Sequence, residues 1–339
     1  MTSMADLTED EHGLGRDNIS YLNPLNGRYI VFSDIQGHID NLNRFLEATK
    51  DMKKEGYICL GDIVHKNRSY SDSRCVRAVK DIAQYCVAGN HEDVKVESPS
   101  MGKVSQPDLE FLDSLPASIE FPNVLLFHSS LRQLGLRLRD ETDICSEFSY
   151  ITENFPLVRF ALYGHTHKKG VYSIKNGRLS FTDKSTRLDD DKLILINPGG
   201  IGLRYCLENG FAVVDFGNRC VYFFSLEEAE EMSCIAEVVN GFDNHLMPSL
   251  NTGYNQWFSV YAKNDASKLR GRNSKFSDLA DILEKFDPKS GDDKGYINRY
   301  SLDIANAVEK LNQKVASFFI TKSPLESRDE FLRVFETMA

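Results

Sequence analysis

Asp34, Asp62, Asn90, His91, His128, His165 and His167 recur through the first half of a 339-residue chain, each just after a short apolar run. They offer carboxylate, imidazole and amide groups, and no thiolate. Such donors suit Mn, Fe, Zn or similar ions rather than a cysteine-held structural zinc. Two ions about 3.5–4 Å apart need one carboxylate between them, and such a pair binds a phosphoryl group and activates a water. A phosphoester resists attack by an anion, so neutralising its charge is the help it needs. The chemistry these residues can do together is therefore phosphoester hydrolysis.

The elements that must position them follow one grammar. Tyr29, Ile30, Val31 and Phe32 make a run long enough for a buried strand, and Ser33, Asp34 and Gly37 suit a tight turn. Ile39, Leu42, Phe45 and Leu46 then recur at helical spacing. Asp34 thus falls at the carboxyl end of a strand, where ligands bind in open α/β sheets. The pattern repeats after 56–60, which ends in Gly61-Asp62, and after 85–88, which ends in Gly89-Asn90-His91-Glu92. It repeats again at 124–127 before His128, at 158–163 before Gly164-His165-Thr166-His167, and at 193–196 before Asn197-Pro198-Gly199-Gly200. The two histidines of GHTH stand two apart, so they share a face if the strand conformation continues.

Taken singly, each residue has a plainer reading. Asp34 can cap the following helix and Asp62 can be a turn residue. Asn90 can sit in a turn, and His128 can be a satisfied half-buried histidine. Their joint occurrence, in order and each at a strand end, favours the metal reading.

The rest of the chain bounds the function. A 41% hydrophobic content can build a sizeable core, and no apolar run reaches membrane-spanning length. The net charge of -10 argues against a broad nucleic-acid surface, which usually carries a basic stripe. Seven scattered cysteines without CxxC pairs fit a reducing cytoplasm, and Cys59 and Cys86 read as core residues. Segment 1–26 reads as a flexible arm, 27–225 as the catalytic domain and 226–339 as a mainly helical C-terminal appendage. Helices are expected over 105–114, 144–154, 226–239, around 276–286, over 301–319 and near 328–335, and Asn176-Gly177 signals a hairpin. The appendage is expected to cover the site mouth or to serve as a homo-oligomer surface.

The motifs SDIQG, GD, GNHE, FHSS and GHTH together resemble those of the calcineurin-like metallophosphoesterase superfamily. The segment INPGGIG resembles one in its compact bacterial phosphodiesterase branch, which includes the YfcE-type enzymes. The likeness spans about residues 28–224. It implies an α/β fold, a β-sandwich flanked by helices (α/β/β/α), and two divalent metal ions, with Mn favoured over Fe, Zn or Mg. It implies that Asp34, Asp62 and His167 hold one metal, and that Asp62 is shared with Asn90, His128 and His165 on the other. His91 matches the catalytic histidine, acting with the metal-bridging Asp62.

Two departures stand out. Gln36 replaces the histidine of the family's D-x-H, leaving a neutral and weaker ligand; His38 is a candidate to compensate or to meet substrate. Ser129 replaces a glycine after His128. His65, Lys66, Arg68 and Arg204 are further candidates to meet a phosphate, with a solvated loop as the plainer reading for the first three. His65 and Lys66 occupy slots where serine/threonine phosphatases carry an acid and an arginine, which counts against a close kinship with those enzymes. The expected substrate is a small phosphoester or nucleotide; a binding module on the same fold is the alternative.

Overall fold

The computed structural model describes residues 22–65, 73–92, 104–133, 135–175, 177–188, 192–202, 209–241, 281 and 317–319. Residues through Asn41 together with Lys54–Phe223 form one compact unit; Leu42–Lys53 and Phe224–Ala339 form another.

Two six-stranded sheets make the first unit. The first sheet contains β1 (Arg28–Phe32), β2 (Gly56–Cys59) and β3 (Ala83–Cys86), mutually parallel, with β9 (Thr186–Arg187), β11 (Gly210–Asp215) and β12 (Cys220–Ser225), in the order β3-β2-β1-β11-β12-β9. The second contains β4 (Ser118–Glu120), β5 (Val124–Phe127), β6 (Phe160–Leu162), β7 (Gly170–Lys175), β8 (Arg178–Thr182) and β10 (Ile194–Asn197), in the order β4-β5-β6-β10-β7-β8. Side chains alternate across each strand, so one set from each sheet meets in a shared apolar layer. Val31, Ile58, Leu60 and Val87 supply the first sheet's share, and Val124, Leu126, Leu162 and Ile196 the second's. The alternate residues of the second sheet, Leu125, Phe127, Ala161 and Tyr163, pack with Ile144, Phe148 and Ile151 of α4 (Glu141–Asn154). Burial on both faces explains why these strands read as unbroken apolar runs. Each such side chain stabilises the fold by roughly 1.5–3 kcal/mol.

The remaining helices of this unit are α2 (Ser73–Ile82), which buries Cys75, Val76 and Val79, and α3 (Gln106–Asp113). In the second unit, α5 (Leu226–Gly241) starts at a reciprocal cap: Glu228 N donates to Ser225 Oγ, and Ser225 N donates to Glu228 Oε2. Arg44 of α1 (Ile39–Thr49) donates to Glu230 of α5 at 2.7 Å. No helix of the described residues is long and apolar enough to cross a membrane.

The expected hairpin is present, with Lys175 paired to Arg178. Three details differ from the sequence reading. The third strand begins at Ala83 rather than Tyr85, because α2 enters the sheet without a turn and a register shift between Tyr57 and Ile58 absorbs the extra residue. β6 starts at Phe160 rather than Val158, because Asn123 O takes the N–H groups of both Arg159 and Phe160. β9 is two residues long, too short to show a period. The helices expected near 276–286, 301–319 and 328–335 lie largely outside the described residues; Asp281 is helical and 317–319 form a turn and bridge.

Candidate active site

The loops leaving β1, β2, β3, β5, β6 and β10 converge, and backbone bonds lace them together. Asp34 N donates to Gly61 O at 3.0 Å, Gln36 N to Asp62 O at 2.8 Å, Gly164 N to His128 O at 3.0 Å, and Ile201 N to Ser33 O at 3.1 Å. Room for this lacing comes from glycine. A Cβ on Gly89 would stand 2.3 Å from both the N and the Oδ1 of Asp62, and one on Gly164 would stand 2.2 Å from Ser33 Oγ. Five site residues hold left-handed backbone: Asp34 (φ 55), Gln36 (51), Asp62 (55), His165 (65) and His167 (57). Such conformations cost about 1–3 kcal/mol each and persist where surrounding structure over-determines them.

The convergent side chains make two groups, Asp34–Asp62–His167 and Asp62–His128–His165, whose ligand atoms lie within 4.8 Å of one another. Asp62 belongs to both. Asp34 and Asp62 are buried, at 0% and 1% exposure. Asp34 Oδ2 accepts from His165 N at 3.0 Å, while Oδ1 faces His167 Nε2 at 3.0 Å without hydrogen-bond geometry. Asp62 Oδ1 accepts from His91 N at 2.9 Å and lies 3.3 Å from His128 Nε2. Three buried polar atoms aimed into the site have no hydrogen-bond partner: Asp34 Oδ1, Asn90 Oδ1 and His128 Nε2. Buried polar atoms are rarely left so, and these residues fit cations, which would satisfy all three.

The imidazoles are oriented from behind. A carbonyl only accepts, so His128 Nδ1–H donates to Leu60 O at 2.6 Å and leaves Nε2 to face Asp62. His165 Nε2–H donates to Gly135 O at 3.1 Å and leaves Nδ1 inward. Gly135 N in turn donates to Oγ of Ser129, the residue standing in the glycine's place, at 2.9 Å. Burial would push His128 down, but the Asp62 charge outweighs it and raises the pKa to about 9. Burial and then His128 press His165 down to about 4. Burial likewise opposes ionisation of Asp62, yet His128 and His91 hold it below the usual carboxylate range.

Gln36 does reach the site: its Nε2 lies 3.1 Å from His167 Nε2. Rotating the amide by half a turn presents Oε1 to the same point. His91 Nδ1–H donates to Val64 O at 3.3 Å, and Nε2 stands 3.7 Å from Asp62 Oδ2. Its ring meets that of His65 edge-on at 5.4 Å. Gln36, His65, Asn90, His91, His165 and His167 line a cavity of about 780 Å³. His38 is not among its lining residues; its ring lies against Gly202. Arg204 lies outside the described residues.

Sequence reasoning missed several contributors. Buried Glu92 accepts the backbone N–H groups of Asp62 and Gly89, both at 2.7 Å, and of Val64 at 3.1 Å, bracing two ligand loops. Burial, then the Asp62 charge, push its pKa up to about 7. Asn197 Nδ2 donates to Gly164 O at 2.7 Å and Thr166 Oγ1 at 3.1 Å, holding the turn that carries two histidines. Both residues sat in quoted motifs without a role. Arg137 and Arg139, with Gln133 and Asp143, also line the cavity, and no motif marks them.

The sequence pattern of the calcineurin-like phosphoesterase superfamily domain matches residues 28–219. Protein MJ0912 of Methanocaldococcus jannaschii is 28% identical over 191 residues, 51% of this chain and 75% of its own. The structure of a metallophosphoesterase from Sphaerobacter thermophilus is similar over 58% of this chain and 87% of its own, with TM-score 0.48 and 21% identity. The phosphoesterase Yfce from E. coli is similar over 59% of this chain and 99% of its own, with TM-score 0.32 and 16% identity. With the matched span covering more than half of the sequence and carrying the ligand cluster, the chain belongs to the calcineurin-like phosphoesterase superfamily and is a metal-dependent phosphoester hydrolase.

Proposed function

We propose that the protein uses a binuclear centre, with Mn as the native metal, to hydrolyse a small phosphoester or nucleotide. The observation that carries this reading is the sharing of Asp62 between two ligand groups, beside the unpartnered buried atoms Asp34 Oδ1, Asn90 Oδ1 and His128 Nε2. Asp34, Gln36, Asp62 and His167 would hold one ion; Asp62, Asn90, His128 and His165 would hold the other. Once bound, two such ions neutralise phosphoryl charge and lower the pKa of an attacking water.

The chain's own groups do the rest. His91, fixed through Nδ1 by Val64 O, keeps Nε2 beside Asp62, where its protonated form donates to the departing oxygen. His65 packs against His91 and limits its rotation. The oxygen-rich ligand set, with an amide at Gln36, favours a harder ion such as Mn over Zn. The scattered cysteines, five of which are free among the described residues, support the reading of a cytoplasmic location.

The test is metal content by elemental mass spectrometry, paired with hydrolysis of mono- and bis-p-nitrophenyl phosphate under Mn, Mg, Fe and Zn. Two ions per chain with turnover, greatest in Mn, is the expected result. One ion or none, with no turnover, would overturn the reading.

A further inference from the structure

Two chemically different parts of the chain line the cavity. One is the group Gln36, Asn90, His91, His165 and His167; the other is the segment between β5 and α4, which contributes two arginines, Arg137 and Arg139. This segment is built into the site. Ser130 N donates to Leu136 O and Gly135 N to Ser129 Oγ, while Gly135 O receives His165 Nε2–H. Leu138, between the two arginines, is 3% exposed in the apolar cluster under α4.

The arginines of this segment divide sharply. Arg132 is engaged: its Nε donates to buried Glu147 at 3.1 Å and its Nη2 to Asp143 O at 3.3 Å. Arg137 and Arg139 are exposed to the cavity, and neither guanidinium has an ion-pair or hydrogen-bond partner among the described residues. Asp143 lines the same cavity and makes no ion pair with either arginine among the described residues, so two positive groups stand against one negative one in this segment's share of the lining.

Two uncommitted guanidiniums in the cavity that the candidate metal ligands Asn90, His165 and His167 also line are more than one phosphoryl group needs. The scissile group belongs at the cluster, and at about 780 Å³ the cavity has the size of a site for a whole small molecule. Guanidinium matches phosphate through paired N–H donors.

We propose that Arg137 and Arg139 form a second anion subsite, and that the substrate is a compact phosphoester bearing a second phosphate. This rests on the phosphoesterase reading above. The second phosphate can sit on a nucleotide or on a sugar, and matched pairs separate these sources.

The experiment uses the full-length, Mn-loaded protein and its Arg137→Ala/Arg139→Ala variant. kcat/KM is measured for adenosine diphosphate against adenosine monophosphate, and for fructose 1,6-bisphosphate against fructose 6-phosphate. Calorimetry gives Kd for methylenediphosphonate against methylphosphonate. The wild type should favour the two-phosphate member of at least one pair. The double variant should lose about 100-fold of that preference, about tenfold per guanidinium, chiefly in KM. The Arg137→Lys/Arg139→Lys variant should recover part of it, because charge survives while the paired donors do not. An equal preference in wild type and double variant, or none in the wild type, overturns the subsite. If no ester at all is hydrolysed, the phosphoesterase reading falls instead. The diphosphonate Kd still decides the subsite, which is refuted if the double variant binds as tightly as wild type.

Discussion

Asn197→Ala tests how the fold holds its histidines. Asn197 is fully buried and uncharged, so no titration complicates the comparison. Its Nδ2 donates to Gly164 O and Thr166 Oγ1, and its Oδ1 accepts from Gly199 N at 2.9 Å. Alanine removes all three bonds and leaves at least the Gly164 carbonyl and the Gly199 amide unpaired in a buried place. Each unpaired backbone group costs about 1–3 kcal/mol, so about 3 kcal/mol in total is a moderate expectation. For a unit near 200 residues that corresponds to a fall in Tm of about 6–12 °C. The turn it releases carries His165 and His167, which hold φ of 65 and 57. Loosening a ligand's support typically weakens metal binding by about 10–100-fold. Differential scanning calorimetry of the metal-free protein gives the first quantity, and a calorimetric Mn titration gives the second. A variant with Tm within about 3 °C of wild type and Mn Kd within twofold would refute the claim that this side chain holds the turn.

Other outcomes follow from the same geometry. His91→Ala should lower kcat by about 10²–10⁴ with metal content unchanged, since the hydrogen bond to Asp62 Oδ1 comes from the His91 backbone N–H, which alanine keeps; loss of metal instead would make His91 a ligand. Gln36→His should tighten the weaker Mn site by about tenfold, because histidine tolerates the φ of 51 and brings a stronger donor; two-site titration reads this, and an unchanged Kd would place Gln36 off the metal. Asp215 is held below the usual carboxylate range: burial opposes this, but Asn218 and Arg28 outweigh it. A depressed folded pKa gives stability that is complete above the unfolded value near ~3.9 and lost as pH falls through the folded one. Urea midpoints from pH 6 downward should therefore converge for wild type and Asp215→Asn in acid, and parallel curves would contradict the assignment.

The ligand set was readable because it is local. A carboxylate, amide or imidazole placed just after an apolar run marks a strand end, and strand ends of packed sheets gather at one place. Asp34, Asp62, Asn90, His128, His165 and His167 all meet this description; the structure gathers Asp34, Asp62 and His167 in one group and Asp62, His128 and His165 in another, and Asn90 lines the cavity with His165 and His167. The boundary between α2 and β3 was not readable, because Ile82 and Ala83 serve helix and strand equally well. Only pairing with Tyr57 and Ile58 decides between them.

Glu92 and Asn197 illustrate a different limit. Their types fit a turn or a cap, and what they do depends on backbone groups supplied by distant loops. The sequence by itself determined the ligand chemistry, the order of strands and helices, and the unbroken apolar runs that demand burial on both faces. The family resemblance already implied that Asp62 is the shared carboxylate; the tertiary structure alone decided which nitrogen each imidazole turns inward. It also decided that Arg137 and Arg139 line the same cavity as Asn90, His165 and His167. Those outcomes depend on contacts between residues far apart in the chain, Gly135 with His165 or Leu60 with His128, and a local spacing carries no record of them.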